Sequence, residues 1–242
     1  MTIKAIIFDV DGTIADTEDA HRISFNKAFA DNHLDWNWDV ALYDKLLKVT
    51  GGKERIKYFV ESFLSGYTKP ENFEDFVKHL HRVKTGYYTA MLADGHIPLR
   101  PGIRQLIAEA RASGILLAIA TTTSPENVSA LLEVGLGKDW KKYFASVGCG
   151  DIVPNKKPAP DIYHWVLNEL GLDAADCIAL EDSENGLRSS LAAGIKTFIT
   201  VNHYTRNQNF TGAAAIFEDL GDLARFYQAS GLTPLSKPGI SG

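Results

Sequence analysis

The chain has 242 residues, of which 45% are hydrophobic and 23% charged, values typical of a globular protein with a substantial core. Its 30 acidic and 25 basic residues give a formal net charge of -5, which argues against nucleic acid or an anionic membrane as a partner. The two cysteines, Cys149 and Cys177, exclude a disulfide framework and lack a zinc or redox spacing. No run approaches about 18 apolar residues and no cleavable leader is recognisable, so we expect a cytoplasmic protein, and a monomer.

The first part of the chain predicts one buried strand followed only by helices. Residues 3–8 are almost continuously apolar, which is typical of a strand buried on both faces of a parallel sheet. Beyond them, apolar residues recur at helical spacing. We therefore predict helices at residues 17–31, 39–49, 52–64 and 70–94, packed around their many aromatic side chains.

The second part alternates strands with helices. Strands are predicted at residues 115–120, 146–149, 177–180 and 196–201. The helices between them begin at Pro101-Gly102, with the proline at N1, at Ser124, after Pro160 and at Ser183. This alternation favours an α/β fold with a doubly wound parallel sheet.

The two patterns together predict two domains. We expect an α/β core of residues 1–16 and 95–232, with residues 17–94 inserted into it as a helical cap. The Pro-, Ser- and Gly-containing tail at residues 233–242 is expected to be disordered.

Two aspartates follow the first strand directly. Asp9 and Asp11 are two residues apart, so both side chains point to the same side of an extended chain. At about 4 Å and an effective dielectric of about 20, their charges repel by roughly 4 kcal/mol, so a cation is needed nearby. Gly12 lets the backbone turn away and Thr13 adds a hydroxyl. Alone, this segment also fits an ordinary Asp-Gly turn.

Polar residues follow the other predicted strands as well. They are Thr121, Lys157, Glu181 and Asp182. Ligands of open α/β sheets bind beyond the carboxyl ends of the strands, and an all-oxygen carboxylate set suits Mg²⁺ better than zinc. Each residue alone has a plainer explanation, as a loop charge, a strand-end hydroxyl or acids at a helix N-terminus. Their common position at strand ends favours a phosphate site.

Phosphoryl transfer uses all of these groups. Asp9 would attack phosphorus in line, and Asp11 would protonate the leaving oxygen and later activate water. Magnesium would screen the repulsion between carboxylate and phosphate. Thr121 and Lys157 would stabilise the equatorial oxygens of the transition state.

The predicted cap contains a second candidate phosphate site. In Thr50-Gly51-Gly52-Lys53, the glycines permit close backbone approach, free amides at a helix start point outward, and the lysine adds charge. Arg55 is a further cation. The alternative is an ordinary turn before a helix. A second phosphate clamp would imply a bisphosphorylated substrate.

Five other residues are candidates for substrate binding. Glu18 and His21 are three apart on the first cap helix, where they would bind sugar hydroxyls or form a plain surface pair. Thr122, Thr123 and Asn185 lie at the starts of core helices, where hydroxyls and amides can hold phosphate oxygens.

Four segments carry a resemblance to a known family. They are Asp9-Val-Asp11-Gly-Thr13, Thr121-Thr122, Lys157-Pro-Ala-Pro160-Asp161 and Glu181-Asp182-Ser183-Glu-Asn185-Gly186. In combination they resemble the four motifs of the haloacid dehalogenase superfamily of aspartate-nucleophile phosphohydrolases, and the inserted helices are similar to its type 1 cap. Within the superfamily, Asp16-Thr17-Glu18 with His21 and the segment from Thr50 to Arg55 are most similar to the CbbY-type phosphatases.

The resemblance implies roles for the core residues. Asp9 is the nucleophile and Asp11 the acid and base. Magnesium is held by Asp9, the carbonyl of Asp11 and Asp182, with Glu181 in or beside the coordination shell. The implied substrate is a pentose bisphosphate such as xylulose-1,5-bisphosphate, and the implied pathway is the Calvin cycle.

Two other functions fit parts of the same pattern. A β-phosphoglucomutase-like phosphomutase would use the same groups, but Lys53 stands where its cap pattern has an arginine. A non-catalytic phosphosugar sensor would keep the pocket without the chemistry, and the intact Asp9 and Asp11 argue against it.

Overall fold

The computed structural model describes residues 3–95 and 97–232, and its centre is a six-stranded parallel sheet. The strands are β1 (Ala5–Phe8), β2 (Leu116–Ala120), β3 (Ser146–Gly148), β4 (Cys177–Glu181), β5 (Lys196–Thr200) and β6 (Ala215–Phe217). They lie side by side in the order β3-β2-β1-β4-β5-β6, and all neighbours are parallel. The strand order changes direction at β1, which is where doubly wound sheets bind ligands. The predicted α/β class is confirmed.

Helices cover both faces of the sheet and fill the stretch after β1. They are α1 (Glu18–Asp31), α2 (Val40–Leu46), α3 (Gly52–Phe63), α4 (Phe73–Ala93), α5 (Ile103–Ala112), α6 (Pro125–Leu136), α7 (Asp161–Leu170), α8 (Glu184–Ala192) and α9 (Leu223–Ser230). Short 3₁₀ helices occupy Trp140–Tyr143 and Ala174–Asp176. Across the described ranges, none of the helices combines the length and the apolar character that crossing a membrane requires.

The alternation of side chains along β1 divides the core into two layers. Ile6 and Phe8 belong to an apolar cluster with α5, α6 and α9, whereas Ala5 and Ile7 belong to a cluster with α7 on the other face. All four side chains are fully buried. Successive residues of a strand point to opposite faces, so a strand covered on both sides must be apolar throughout.

The helices α1 to α4, called the inserted helices below, have an apolar cluster of their own. Its centre is aromatic, with Phe25, Phe29, Trp38 and Tyr43 almost completely buried. Tyr204, which lies in the loop after β5, also belongs to this cluster. A separate core is what a cap domain requires, and the predicted boundaries near residues 16 and 95 stay a prediction.

Several details differ from the sequence predictions. Pro101 is not at N1, because α5 begins at Ile103 and Gly102 is its N-cap. Gly102 has a φ of 81°, a left-handed conformation that glycine adopts without strain. It also lies against Leu220, which leaves no space for a side chain. Glu181 is the last residue of β4 instead of following it. The short elements β6 and α9 were not predicted, and the predicted tail at residues 233–242 lies outside the described residues.

The glycines that flank α5 provide a test of this packing. A β-carbon at Gly102 would lie 1.8 Å from the carbonyl oxygen of Leu220, whereas one at Gly114, with a φ of 73°, would meet no atom within 4 Å. Gly114→Ala should therefore lower the free energy of unfolding by about 1–2 kcal/mol through backbone strain alone. Gly102→Ala should cost about 3 kcal/mol or more, because the backbone must also move. Urea unfolding followed by circular dichroism measures both, and equal losses would contradict the packing.

Candidate active site

The strand register brings the predicted polar residues to one edge of the sheet. Phe8 is level with Ile119 of β2 and with Leu180 of β4. The next residue, Asp9, donates its backbone N–H to the carbonyl of Leu180 at 2.9 Å. Since all three strands are parallel, the residues that end them converge beyond the carboxyl edge of β1.

A buried lysine ties these strand ends together. The Nζ of Lys157 donates to Asp9 Oδ1 at 2.6 Å, to Glu181 Oε1 at 2.6 Å and to the carbonyl of Ala120 at 2.8 Å. Lys157 thereby uses all three of its N–H donors on groups from β1, β2 and β4. Burial opposes its charge, but the neighbouring carboxylates of Asp9 and Glu181 prevail and raise the pKa of Lys157 above its ordinary value. The Tyr163 hydroxyl also donates to Glu181 Oε1.

Three carboxylates share this small buried space. Oxygens of Asp9, Glu181 and Asp182 all lie within 4.8 Å of one another. Burial, opposed by the charge of Lys157 and assisted by that of Glu181, raises the pKa of Asp9 to about 8. Burial and the charges of Asp9 and Glu181 raise the pKa of Asp182 well above its ordinary value. One lysine does not neutralise three carboxylates, so negative charge remains that a further cation would neutralise.

Gly12 allows Asp182 to reach the loop after β1. A β-carbon at Gly12 would lie 2.1 Å from Asp182 Oδ2, and Gly12 has a φ of 78°. Asn202 Nδ2 donates to the same oxygen at 2.7 Å and so holds the carboxylate in place. Only glycine combines that backbone conformation with so close an approach.

Asp11 lies apart from this cluster and contacts the inserted helices. Its Oδ1 accepts from the Thr17 hydroxyl at 2.6 Å and contacts His21 Nε2 at 2.9 Å. Burial raises the pKa of Asp11, but the charge of His21 and the hydrogen bonds from His21 and Thr17 outweigh it and hold that pKa well below its ordinary value. The two aspartates therefore have opposite electrostatic environments.

His21 makes two contacts that were not predicted. Its other ring nitrogen, Nδ1, contacts the ammonium of Lys84, and its ring stacks on Tyr88 at a centroid distance of 4.0 Å. Both ring nitrogens are engaged and the side chain is buried, so His21 does not form the alternative surface pair with Glu18, and the predicted binding of a sugar hydroxyl stays a prediction. Lys84, which contacts His21 and lines the cavity, was not among the predicted site residues. Burial lowers its pKa to about 7.

Glu18 and Arg55 are linked through a buried tyrosine. The Tyr43 hydroxyl donates to Glu18 Oε2 at 3.0 Å and accepts from Arg55 at 2.8 Å. Each residue comes from a different inserted helix, namely α1, α2 and α3. The link holds in place a carboxylate and a guanidinium that both line the cavity.

The glycine turn of the predicted clamp faces the core. Gly51 has a φ of 96° and precedes α3, which begins at Gly52. Thr50 Oγ1 accepts from Asn185 Nδ2 at 3.1 Å, and the same nitrogen donates to the carbonyl of Lys48 at 3.0 Å. Asn185 therefore connects the start of α8 to the inserted helices across the cavity. Lys53 has a partner that was not predicted, because its Nζ lies 2.5 Å from Asp151 Oδ2.

The threonines after β2 lie at the start of α6. Thr121 is buried, and its hydroxyl accepts from the backbone N–H of Thr123 at 3.3 Å. Asn127 Nδ2 donates to Thr123 Oγ1 at 3.1 Å. Ser124 caps α6 as predicted, with Pro125 at N1.

One cavity of about 680 Å³ collects nearly all of these residues. The predicted residues that line it are Asp9, Asp11, Glu18, His21, Thr50, Gly51, Gly52, Lys53, Arg55, Thr121, Thr122, Thr123, Lys157, Asp182 and Asn185. Glu181 is not among the lining residues and lies behind Lys157 with no exposed surface. His81, Lys84, Asp151 and Lys156 also line the cavity and were not predicted. They lie in a helix or loop where no local pattern distinguishes them from surface charges.

Comparisons with known proteins show the family of the chain. Residues 3–194 match the family model described as haloacid dehalogenase-like hydrolase. The chain is 48% identical to the plasmid-encoded protein CbbY of Cupriavidus necator, over 92% of this chain and 87% of that protein. CbbY of Rhodobacter sphaeroides, solved with phosphate and, as a mutant, with xylulose-(1,5)bisphosphate, is 44% identical. Those structures superpose with a TM-score of 0.86, covering 92% of this chain and 96% of theirs.

A more distant structure supports the fold alone. The β-phosphoglucomutase of Clostridium difficile superposes with a TM-score of 0.77 at 20% identity, covering 95% of this chain and 98% of that one. The family model and the relatives above 40% identity span most of the sequence that builds the sheet, the inserted helices and the cavity. The chain therefore belongs to the haloacid dehalogenase-like hydrolase family, as the resemblance of its four motifs predicted.

Proposed function

We propose that the protein is a Mg²⁺-dependent phosphatase that transfers a phosphoryl group of a pentose bisphosphate to Asp9 and then to water. The observation that carries this proposal is that one cavity contains the Asp9–Lys157 pair and, among its other lining residues, a second set of cations, namely Lys53, Arg55 and Lys156. The first suits a reacting phosphate and the second a phosphate that does not react. The relative solved with xylulose-(1,5)bisphosphate supports a five-carbon sugar as substrate.

The carboxylate cluster fits a divalent cation. All of its donors are oxygens, and burial together with neighbouring carboxylates raises the pKa values of Asp9 and Asp182. Among the described residues, the buried Glu181 Oε2 has no hydrogen-bond partner. Oxygen ligands are those that Mg²⁺ prefers. Asp9 and Asp182, with the predicted carbonyl of Asp11, would hold the ion, and Glu181 would stand beside it. Bound Mg²⁺ supplies positive charge that screens Asp9 from the phosphate.

Lys157 positions Asp9 for attack. It engages Oδ1, which leaves Oδ2 as the oxygen that forms the bond to phosphorus. The positive charge of the same ammonium, whose N–H groups stay on protein oxygens, and the Thr121 hydroxyl would then stabilise the negative charge of the transferring group, where charge stabilisation provides most of the rate. As the bond from phosphorus to Asp9 forms, the bond to the sugar oxygen breaks.

Asp11 handles the proton at the other end of the reaction. Thr17 and His21 both contact Oδ1, so Oδ2 is the oxygen that remains for the leaving group or for water. The low pKa of Asp11 keeps its carboxylate ionised, which is the form that takes a proton from the water that hydrolyses the aspartyl-phosphate in the second half of the cycle. To act as the acid in the first half, Asp11 must first take up a proton from water, because its low pKa keeps it ionised, and it then passes that proton to the leaving sugar oxygen.

The inserted helices would act as the cap. Contacts cross the cavity from Asn185 to Thr50 and from Asp151 to Lys53, and Tyr204 donates to Asp19 at 2.7 Å. They join the core to α1 and α3 around the substrate space. Closure of this kind excludes water from the reacting phosphate and presents the second phosphate to the cap.

Replacing the nucleophile tests the proposed chemistry. Asp9→Asn should lower kcat for phosphate release by about 10³-fold or more, because the amide is a poor nucleophile, while a sugar bisphosphate still binds. Phosphate release and titration calorimetry measure the two quantities. Asp75→Asn, an exposed change on α4, serves as the control for handling and fold. Wild-type turnover in Asp9→Asn would remove the assignment.

Metal removal tests the carboxylate cluster with a readout other than activity. EDTA should abolish turnover, and added Mg²⁺ should restore it. At about 100 times its Kd, Mg²⁺ should stabilise the fold by about 2.7 kcal/mol, which raises Tm by about 5–10 °C. The Tm rise should be much smaller in Asp182→Asn. A Tm that ignores Mg²⁺ in the wild type would argue against the site.

Truncating the predicted clamp tests the second phosphate. Lys53→Ala should raise KM for a pentose bisphosphate by about 5–10-fold, with a much smaller effect on p-nitrophenyl phosphate, which cannot reach the cap. Lys57→Ala, one turn further along α3 and paired with Glu74, is the matched control. Equal effects of Lys53→Ala on both substrates would defeat the clamp.

A further inference from the structure

Asp151 contacts two lysines, one from the inserted helices and one from the core. The loop after β3 carries Asp151, and its Oδ2 lies 2.5 Å from the Nζ of Lys53, which belongs to α3 of the inserted helices. Its Oδ1 lies 2.6 Å from the Nζ of Lys156, which belongs to the core. Lys156 also donates to the carbonyl of Gly150 at 3.3 Å. We call Lys53, Asp151 and Lys156 the seam.

The two lysines of the seam hold the carboxylate of Asp151 as they would hold a bound anion. Each lysine contacts a different oxygen of one carboxylate, as two lysines would contact two oxygens of one phosphate. Hydrogen bonds from Lys156 and Lys53 lower the pKa of Asp151 to about 2, so its carboxylate is ionised at neutral pH. All three side chains line the substrate cavity beside Gly51 and Gly52. The carboxylate therefore occupies the lysines that a second phosphate would need.

The contacts of Asp151 are easy to exchange. Its side chain is 61% exposed, whereas those of Lys53 and Lys156 are 29% and 14% exposed. Ion pairs with an exposed partner contribute little to stability, so moving Asp151 into water costs little. A phosphate dianion carries about twice the charge of a carboxylate and has more acceptor oxygens, so it competes well for the same two ammonium groups.

Tethering decides which phosphates can compete. A free anion loses its full translational and rotational entropy when it binds. A second phosphate on a sugar already held at Asp9 instead has a high effective concentration at the seam. With Asp151 in place, the seam discriminates against free anions and favours a phosphate delivered by the rest of the substrate.

We propose that Asp151 is an internal counter-ion that the second phosphate of the substrate displaces from Lys53 and Lys156, and that it lowers the affinity of these lysines for anions so that free phosphate does not fill the seam. This inference rests on the proposed function, since it takes the substrate to have a phosphate that does not react. It makes Asp151 a specificity-determining residue that touches no reacting atom.

Direct binding tests the displacement without turnover. Titration calorimetry in Mg²⁺ compares Asp9→Asn with Asp9→Asn/Asp151→Asn, using xylulose-1,5-bisphosphate and inorganic phosphate as ligands. Removing the competing carboxylate should tighten bisphosphate binding by about 5–10-fold and inorganic phosphate binding by at least as much. Asp151→Glu, which keeps the charge, should bind both ligands nearly as the parent does. Asp139→Asn, an exposed aspartate paired with Lys142 away from the cavity, controls for net charge.

The opposite result would overturn the inference. If Asp151→Asn weakens the binding of the bisphosphate or leaves it unchanged, Asp151 orders the lysines instead of competing with the ligand. A gain that Asp139→Asn reproduces would reduce the effect to net charge, which also overturns it. If the proposed function is wrong, the wild-type enzyme releases no phosphate from any sugar bisphosphate. The binding comparison still decides the role of Asp151 in that case.

Discussion

The bridge from Lys157 to Asp9 and Glu181 is the interaction on which the site depends. Parallel register brings the carboxyl ends of β1 and β4 side by side, and it brings Asp9 and Glu181 into one buried space. Uncompensated, such charges would not remain ionised away from water. Lys157 supplies one positive charge at 2.6 Å from each, and the deficit that remains suits a divalent cation. Burial of these carboxylates therefore disfavours their ionised form, whereas the proposed chemistry requires it.

The sequence predicted most of the core because its signals are local. Continuous apolar strands, helix caps such as Ser124 and Ser183, and charges placed just after strands follow from short-range chemistry. Parallel pairing then determines which of those charges meet. The edge strand β6 and the short helix α9 have only three and eight residues, too few to give a clear periodic pattern.

The partners of the cap residues could not be predicted in the same way. The contacts of His21 with Asp11 and Lys84, and of Lys53 with Asp151, join residues 10 to 98 positions apart. Nothing in the local pattern around Lys84 or Asp151 indicates which surface each will face. The contacts of His21 were not predicted, because they depend on the close approach of α1 to α4 and to the segment after β1.

The central claim is that Asp9 accepts phosphorus, and covalent trapping tests it most directly. The enzyme is mixed with a sugar bisphosphate and Mg²⁺, quenched in acid within the first turnover, digested and analysed by peptide mass spectrometry. Asp11→Asn, which slows attack by water, should increase the trapped fraction. The account predicts one added phosphoryl group on Asp9 and none on Glu181 or Asp182. Phosphate release without any phosphorylated aspartate, or with the group on another residue, would contradict it.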